Sequence, residues 1–332
     1  MQASLSLLMA EAAGSAVHAI VPEGGVVRCC EVFPFERGFD ELLAKVRALP
    51  APFQRVLSVE RRGPTTIVTL ERFVGLHGDE LISRLKEVDR LLPLAAWGAL
   101  ARQWLTAAEG QTVGRSAPGN LGFSLEGTVV LSADRHNFAL GQLRPVPAHP
   151  IVGRGLPRTL SPEEAQGRPL TPASRVYSLG VGLIRLLTLE PIFAEQPVEQ
   201  LRQVITGRST WTPERHPEMT PELVAVLGRA IAKEPAERFA SPSAFLEALE
   251  AQLPGAVAVM PVVAGVCEPG YRSIVAALVR APEFVPRSWA QGGLRVMEDR
   301  LLEHAIPVES LPRPTCPPAP PAPPLLGLPG KQ

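Results

Sequence analysis

Cysteine and histidine are the side chains through which this chain could bind a metal ion or undergo redox chemistry, and their spacing favours neither. The four cysteines are Cys29, Cys30, Cys267 and Cys316, and no two of them form a C-x-x-C pair. Neighbouring cysteines cannot join each other or ligate one metal ion without strain. The six histidines are scattered, with no H-x-x-x-H pattern. A metal site assembled from distant residues stays open, but we expect reduced thiols and no metal.

The composition predicts a globular protein. The chain has 332 residues, of which 45% are hydrophobic, and this excludes disorder throughout. Its 33 basic and 33 acidic side chains cancel, which argues against general nucleic-acid binding and polybasic membrane binding, because both need excess cationic charge. Only four residues are lysine and 29 are arginine, and with 36 prolines this bias is typical of a GC-rich bacterial genome.

No membrane insertion is expected. The segment Leu5–Ala10 resembles the apolar part of a signal peptide, but no basic residue precedes it and Glu11 interrupts the small residues that follow. We interpret it as a buried first strand. The apolar stretch Ala256–Cys267 is too short to span a bilayer. We therefore expect a cytoplasmic protein.

The elements that must position any site fall into a β-rich part followed by a helical part. Alternating residues and turn signals predict strands at Val17–Val21, Val26–Val32, Arg55–Glu60 and Thr65–Leu70. Apolar residues at helical spacing between the second and third strands predict a helix over Phe39–Leu49.

The helical part shows apolar stripes and start signals. The stripe Trp97–Ala108 is interpreted as core, and a second stripe covers Val176–Leu187, with Ser174 available to cap its start. Thr220 and Ser241 are each followed by proline, which is typical of an N-cap before the first helical position. A small β-rich lobe thus precedes a larger helical lobe.

Three segments of the chain match known sequence motifs. Gly155-Leu-Pro-Arg-Thr-Leu-Ser-Pro-Glu163 is similar to G-T-P-x-Y-M-S-P-E, and Ser174-Arg-Val-Tyr-Ser-Leu-Gly180 is similar to S-D-V-Y-S-L-G. Leu227 to Phe239 resembles R-A-L-A-K-D-P-x-x-R-F. These are motifs of bacterial Ser/Thr protein kinases, and the resemblance to that family covers roughly residues 5–252 and implies an α+β, bilobal protein-kinase-like fold.

The resemblance also sets the expected domains. It implies a kinase-like N-lobe at 1–72 and a C-lobe at 73–252, and the proline-rich strip Ala139–Pro162 is interpreted as a surface loop. Residues 253–310 form an appendage with one predicted helix, Leu294–His304, that either packs on the core or makes a separate interaction module.

The last segment, 311–332, is expected to be a disordered proline-rich tail. Nine of its residues are proline, a composition that favours an extended polyproline II conformation. Such a segment could dock an SH3-like groove, although a passive tail is the interpretation we favour.

The structural residues of the family are present. Glu163 and Arg238 match a buried ion pair that ties the activation segment to the end of the large lobe, and an Arg fork suits a carboxylate bidentately. Glu71 and Phe73 fall where the hinge between the lobes supplies backbone groups to adenine, so they would contact a nucleotide if one binds.

Most catalytic residues implied by the resemblance are missing. Cys30 stands near the position of the strand lysine. Glu41 is either the helix carboxylate of the family, which then has no lysine to pair with, or an ordinary exposed carboxylate. The phosphate-covering loop offers only Gly14, and Cβ atoms along a turn hinder the approach of backbone N–H groups to phosphate. We expect no working phosphate loop.

The catalytic-loop segment keeps only its end. Arg115 occupies the position of the catalytic Asp, and a guanidinium stays protonated and cannot accept a substrate proton. Ala117 replaces the lysine that would stabilise the transferred phosphate. Asn120 is kept, and it either holds a metal or, in the interpretation we favour, caps the loop.

The metal-binding segment is equally altered. The usual spacing places Ala133-Asp-Arg135 at D-F-G, with Asp134 one position late, and a short insertion would place Asn137-Phe-Ala139 there instead. Arg175 replaces the Asp of S-D-V-Y-S-L-G, which in the family supports the catalytic loop through hydrogen bonds to its backbone. Two acidic positions have become arginine, so we expect metal binding to be weak.

These losses predict a pseudokinase that acts as a regulatory or scaffolding protein-binding module in signalling, without phosphotransfer. Phosphoryl transfer depends on positioned cations and carboxylates, and the chain lacks most of them. It requires no cofactor, would bind ATP weakly at most, and has protein partners that the sequence does not name. Leu156 replaces the Thr after Gly155, so switching by phosphorylation there is not expected. The alternatives are a metal-independent nucleotide sensor and an unorthodox ATP-dependent transferase using Asn120 and Asp134.

Overall fold

A four-stranded antiparallel sheet forms the first part of the fold. The computed structural model describes residues 17–23, 26–34, 56–62, 65–70, 75–109, 118, 121–124, 129–131, 158–255, 262–266 and 303–317. The strands are β1 (Val17–Glu23), β2 (Val26–Pro34), β3 (Val56–Arg62) and β4 (Thr65–Leu70), in the order β1-β2-β4-β3. The four predicted strands are confirmed, and the consecutive strands β1 and β2, and β3 and β4, pair antiparallel. The helix predicted over Phe39–Leu49 lies outside the described residues.

A second, three-stranded sheet lies beside the helices. Its strands are β5 (Gly75–His77), β6 (Leu121–Ser124) and β7 (Val129–Leu131), paired antiparallel in that order. The first helix, α1 (Gly78–Glu87), follows β5 directly. Because β6 pairs with β5, and β5 leads directly into α1, the chain just after residue 120 lies beside the start of the helical part.

The rest of the described chain is mostly helical. The helices are α2 (Leu94–Ala108), α3 (Pro162–Ala165), α4 (Pro172–Thr188), α5 (Pro197–Thr206), α6 (Pro221–Ala230) and α7 (Pro242–Glu250). None of the helices in these ranges is both long and apolar enough to cross a lipid bilayer.

Proline and a capping hydroxyl mark most of the helix starts. Helices α3 to α7 each carry proline at the first helical turn, where the missing N–H costs nothing. The predicted caps Thr220 and Ser241 are confirmed, since their hydroxyls accept from the N–H groups of Leu223 and Ala244. Helix α3 begins at Pro162, which is the last residue of the proline-rich strip Ala139–Pro162 that the sequence assigns to a loop.

The predicted cap of α4 is wrong by three residues. Thr171, not Ser174, is the N-cap, and its hydroxyl accepts from the Ser174 N–H. The Ser174 hydroxyl in turn accepts from the Thr171 N–H at 3.1 Å. This reciprocal capping box satisfies two backbone donors that would otherwise lack partners.

The core is built where α2 crosses α4. The predicted tryptophan stripe is confirmed as core, with Trp97 and Trp104 fully or almost fully buried. The Trp97 indole N–H donates to the Leu183 carbonyl oxygen at 2.9 Å. A Cβ on Gly182 would lie 2.6 Å from the Trp104 ring, so glycine permits this close approach.

The end of the chain returns to this core through residues 303–317, which we call the C-terminal strap. Leu311 is 3% exposed and belongs to the same hydrophobic cluster as the two tryptophans. The Leu91 N–H donates to the Pro312 carbonyl at 2.8 Å, and the Thr315 N–H donates to the Arg215 carbonyl at 3.0 Å. Residues 311–317 thus belong to the bound strap and not to a free tail.

Two described segments of residues 253–310 contact the main core. Residues 262–266 are helical, and Val262 and Val263 are fully buried in the main core. A Cβ on Gly265 would overlap the Ile306 carbonyl, so the strap crosses this short helix at close range. Both segments pack on the helical core. Of the predicted helix Leu294–His304 only residues 303 and 304 are described.

Substitution of Leu311 tests whether the strap is part of the folded core. We expect Leu311→Ala to lower the free energy of unfolding by about 2–5 kcal/mol, because it leaves a cavity in a packed cluster. Arg313→Ala is the matched control, since Arg313 is an exposed residue of the same strap and should change this free energy by less than about 0.5 kcal/mol. Urea unfolding followed by circular dichroism measures both. Equal effects of the two substitutions would show that the strap contributes no packing.

Candidate functional site

A buried ion pair joins the two segments that carry the sequence motifs. The Arg238 guanidinium donates to both carboxylate oxygens of Glu163, from Nη1 to Oε2 and from Nη2 to Oε1, each at 2.9 Å. The side chains are 0% and 5% exposed, respectively. Glu163 lies in α3, whose first turn is ordered by the Ser161 hydroxyl accepting from the Glu164 N–H. The pair therefore holds α3 against the turn that precedes α7.

The Arg238 guanidinium has all five of its N–H donors occupied. Besides the two bonds to Glu163, Nε donates to the Ala232 carbonyl at 2.6 Å and Nη2 to the Lys233 carbonyl at 2.7 Å. The remaining Nη1 donor reaches the Ala173 carbonyl at 3.1 Å. A buried ion pair is tolerated only when its remaining polar atoms are satisfied, and this one meets that condition.

The electrostatic surroundings favour the charged form of Glu163. Burial alone would raise the pKa of Glu163, but the hydrogen bonds and charge of Arg238 and the Ser174 hydroxyl hold it below its usual value. The Arg238 guanidinium also lies 4.7 Å from the centroid of the Tyr177 ring, within the range of a cation–π contact. Burial raises the pKa of Tyr177, so its hydroxyl stays neutral beside the ion pair.

Sequence reasoning missed the part that Ser174 plays in this site. It treated Ser174 only as a cap, whereas the hydroxyl also stabilises the Glu163 carboxylate. The spacing Thr171-x-x-Ser174 is a capping-box signal that could have located it. Ser178 was missed as well, and its hydroxyl donates to the Thr159 carbonyl at 2.8 Å, which fixes the chain just before α3.

Arg175 ties the start of α4 to the end of α2. Its Nη1 donates to the Ala108 carbonyl at 3.1 Å, and Ala108 is the last residue of α2. Carbonyl groups at a helix C-terminus lack intrahelical donors, and a cation is favourable there. Burial lowers the pKa of Arg175, and the nearby Glu109 carboxylate opposes this shift. The guanidinium is thus used to join two helices.

The other residues singled out by the sequence are placed only in part. Cys30 lies inside β2, opposite Ala19 of β1 and Thr69 of β4. The remaining candidate positions lie outside the described residues, and they are Glu41, Glu71, Phe73, Arg115, Ala117, Asn120, Ala133 and Asp134. In the ranges that the structure does describe, no three His, Cys, Asp or Glu side chains group closely enough to hold a metal ion.

Comparison with known proteins relates part of the chain to bacterial protein kinases. It is 41% identical over 86 residues to the serine/threonine-protein kinase PknB of Mycolicibacterium smegmatis, which covers 26% of this chain and 14% of that protein. It is 29% identical over 135 residues to the tyrosine-protein kinase MasK of Myxococcus xanthus (40% of this chain, 21% of the relative). For the serine/threonine-protein kinase PknA of a Nostoc species the identity is 39% over 97 residues (29% and 16%).

These similarities support a relationship to the protein kinase family and suggest a kinase-like fold. The chain spans about a fifth or less of the length of these curated relatives. No family model matches the chain.

Removal of the Glu163 carboxylate tests the ion pair. We expect Glu163→Gln to lower the free energy of unfolding at pH 7 by about 3–5 kcal/mol, because Arg238 would stay charged and buried without its partner. A depressed pKa stabilises the fold above the unfolded value of 4.5, and this contribution is lost as the pH falls through the lower folded pKa. The free energy of unfolding of the wild type should therefore fall more steeply than that of Glu163→Gln between about pH 5 and pH 3.

Glu247→Gln is the matched control for this test, since Glu247 is an exposed carboxylate in α7. It should change the free energy of unfolding by less than about 0.5 kcal/mol. Chemical unfolding at a series of pH values measures all three proteins. If the free energy of unfolding varied with pH in the same way in the wild type and in Glu163→Gln, the ionised Glu163 carboxylate would not stabilise the fold as assigned.

Reversal of the charge at residue 175 tests the junction between α2 and α4. Arg175→Asp should lower the free energy of unfolding by about 1–3 kcal/mol, because it removes the donor to Ala108 and brings a second carboxylate close to Glu109. Arg175→Gln, which keeps an N–H donor, should cost less. Thermal and urea unfolding give the comparison. An Arg175→Asp variant as stable as the wild type would show that a positive charge at residue 175 does not stabilise the C-terminus of α2.

Proposed function

We propose that this chain is a pseudokinase, a kinase-like protein that binds and regulates or scaffolds protein partners without transferring phosphate. Its similarity to bacterial kinases supports the kinase-like part of this proposal. The expected fold is bilobal, with the β1–β4 sheet in the small lobe and helices α1 to α7 in the large one. The altered residues support the loss of phosphotransfer.

The observation that carries the proposal is the contrast between two arginines. Arg238 keeps the structural ion pair with every guanidinium donor satisfied. Arg175, at the position where the family has an acidic residue, donates to a helix carbonyl. An aspartate there would accept hydrogen bonds from backbone N–H groups, and a guanidinium can only donate. The support for the fold is thus retained and the support for the catalytic loop is reversed.

The sequence adds losses at the catalytic positions themselves. Cys30 and Ala117 replace two lysines, and Arg115 replaces the catalytic Asp. Phosphoryl transfer needs these cations and carboxylates around the phosphates and metal, so each loss withdraws part of the lowering of the barrier. The chain accordingly requires no metal or other cofactor, and any ATP that binds near Glu71 and Phe73 binds weakly.

Nucleotide binding separates this proposal from its two alternatives. For a scaffold that works without nucleotide, we expect no change in the melting temperature of the full chain with ATP, either with Mg²⁺ or with EDTA. A ligand at one hundred times its dissociation constant stabilises a fold by about 2.7 kcal/mol, which raises the melting temperature by several degrees. Differential scanning fluorimetry measures the shift, with AMP as the control nucleotide.

Either kind of shift would point to an alternative. A shift with EDTA present would favour a metal-independent nucleotide sensor. A shift that requires Mg²⁺, together with phosphate transfer that Asp134→Asn abolishes, would replace the proposal with an ATP-dependent transferase.

A further inference from the structure

A small cavity opens between the end of α4, the start of α5 and Arg158. Its volume is about 100 Å³, and two arginines, Arg158 and Arg185, line it together with Glu195. One water molecule needs roughly 10–15 Å³ of such volume, so there is room for a group of several oxygen atoms. The cavity is separate from the Glu163–Arg238 pair and from the Arg175 junction.

Both cations of the cavity are held by carboxylates that face solvent. Nη1 of Arg185 lies 2.8 Å from an oxygen of Asp79, the Asp79 side chain being 52% exposed. Nη1 of Arg158 lies 3.1 Å from an oxygen of Glu195, whose side chain is 72% exposed. Both side chains of the Arg158–Glu195 pair are exposed, so that pair contributes about 0–1 kcal/mol and a competing anion could replace Glu195 at little cost. An anion in place of Asp79 would keep the largely buried Arg185 paired.

Arg185 itself is largely buried. Its side chain is only 16% exposed, and it shares the cavity with the apolar residues Val181, Ile192 and Phe193. Burial lowers the pKa of Arg185, and after the opposing charge of Asp79 the positive charge of Arg158 lowers it further. Both effects disfavour an isolated positive charge here, so a bound anion would relieve them.

We infer that this cavity binds an oxyanion, the phosphate or carboxylate group of an acidic side chain on a partner polypeptide. A guanidinium presents planar N–H donors that match two oxygens of such a group, and Arg158 and Arg185 both line the cavity. The apolar wall accommodates the carbon atoms beside the charged group. None of the residues that line the cavity is used to argue the loss of phosphotransfer, so the inference does not depend on that loss.

The first test uses inorganic phosphate as the probe and the full chain as the protein. Titration followed by the ¹⁵N-detected Nε–Hε resonances of arginine should shift the Arg185 and Arg158 signals in a saturable manner. Asp79→Asn removes the competing carboxylate and leaves both arginines in place, so phosphate should bind about two- to fivefold more tightly. Unchanged affinity in Asp79→Asn would overturn the inference.

A matched pair of arginine variants locates the site. Arg185→Gln should abolish the saturable binding, while Arg208→Gln, which removes an exposed arginine after α5, should leave it unchanged. Circular dichroism checks that both variants are folded. Equal loss in both variants, or binding that survives in Arg185→Gln, would mean that phosphate is attracted by general positive charge and would overturn the inference.

A second titration distinguishes the two sources of the oxyanion. N-acetyl-phosphoserine amide and N-acetyl-glutamate amide present the two groups on the same kind of backbone. Saturable binding of either that Arg185→Gln removes supports the inference and identifies the group. Binding of neither amide would overturn the part of the inference that concerns a polypeptide.

Discussion

The Glu163–Arg238 ion pair is the interaction on which the helical part of the structure depends. It joins three pieces of chain, since Arg238 also reaches the carbonyls of Ala173 at the start of α4 and of Lys233 before α7. Two charges taken out of water are costly unless every remaining donor and acceptor is satisfied. The observed arrangement of the three pieces meets that demand, and a packing that separated Arg238 from Glu163 would leave a buried charge without its partner.

Arg175 shows how a helix junction can be held with the opposite chemistry. An acidic residue holds a neighbouring segment by accepting from its N–H groups, whereas the Arg175 guanidinium donates to the Ala108 carbonyl at the end of α2. The C-terminus of a helix has carbonyl groups without intrahelical donors and carries a partial negative charge, so a cation such as a guanidinium binds there favourably. A guanidinium at this position can therefore hold the start of α4 against the end of α2.

Local signals in the sequence predicted the four strands of the first sheet and the starts of α6 and α7, whereas contacts between distant segments were not predicted. Thr220 and Ser241 cap helices through bonds that span three residues, so a short motif is enough to find them. The strap is different, because the bond from Leu91 to Pro312 joins segments more than two hundred residues apart. The proline content of that region predicted an extended chain but gave no indication of the core residues against which it packs. The partner of Arg175 was equally hidden, since it depends on where α2 ends and how it crosses α4.

The scarcity of lysine has a structural counterpart in the way arginine is used. Buried or half-buried arginines donate to main-chain carbonyls at several junctions, namely Arg90 to Val308, Arg175 to Ala108, Arg215 to Thr188 and Cys316, and Arg238 to Ala173, Ala232 and Lys233. A planar guanidinium can bond several carbonyls at fixed angles and is more weakly hydrated than an ammonium group, so its burial costs less. Lysine at these positions would offer a point charge with fewer directed donors. The arginine-rich composition therefore suits a fold whose loops and strap are joined by side-chain bonds to the backbone.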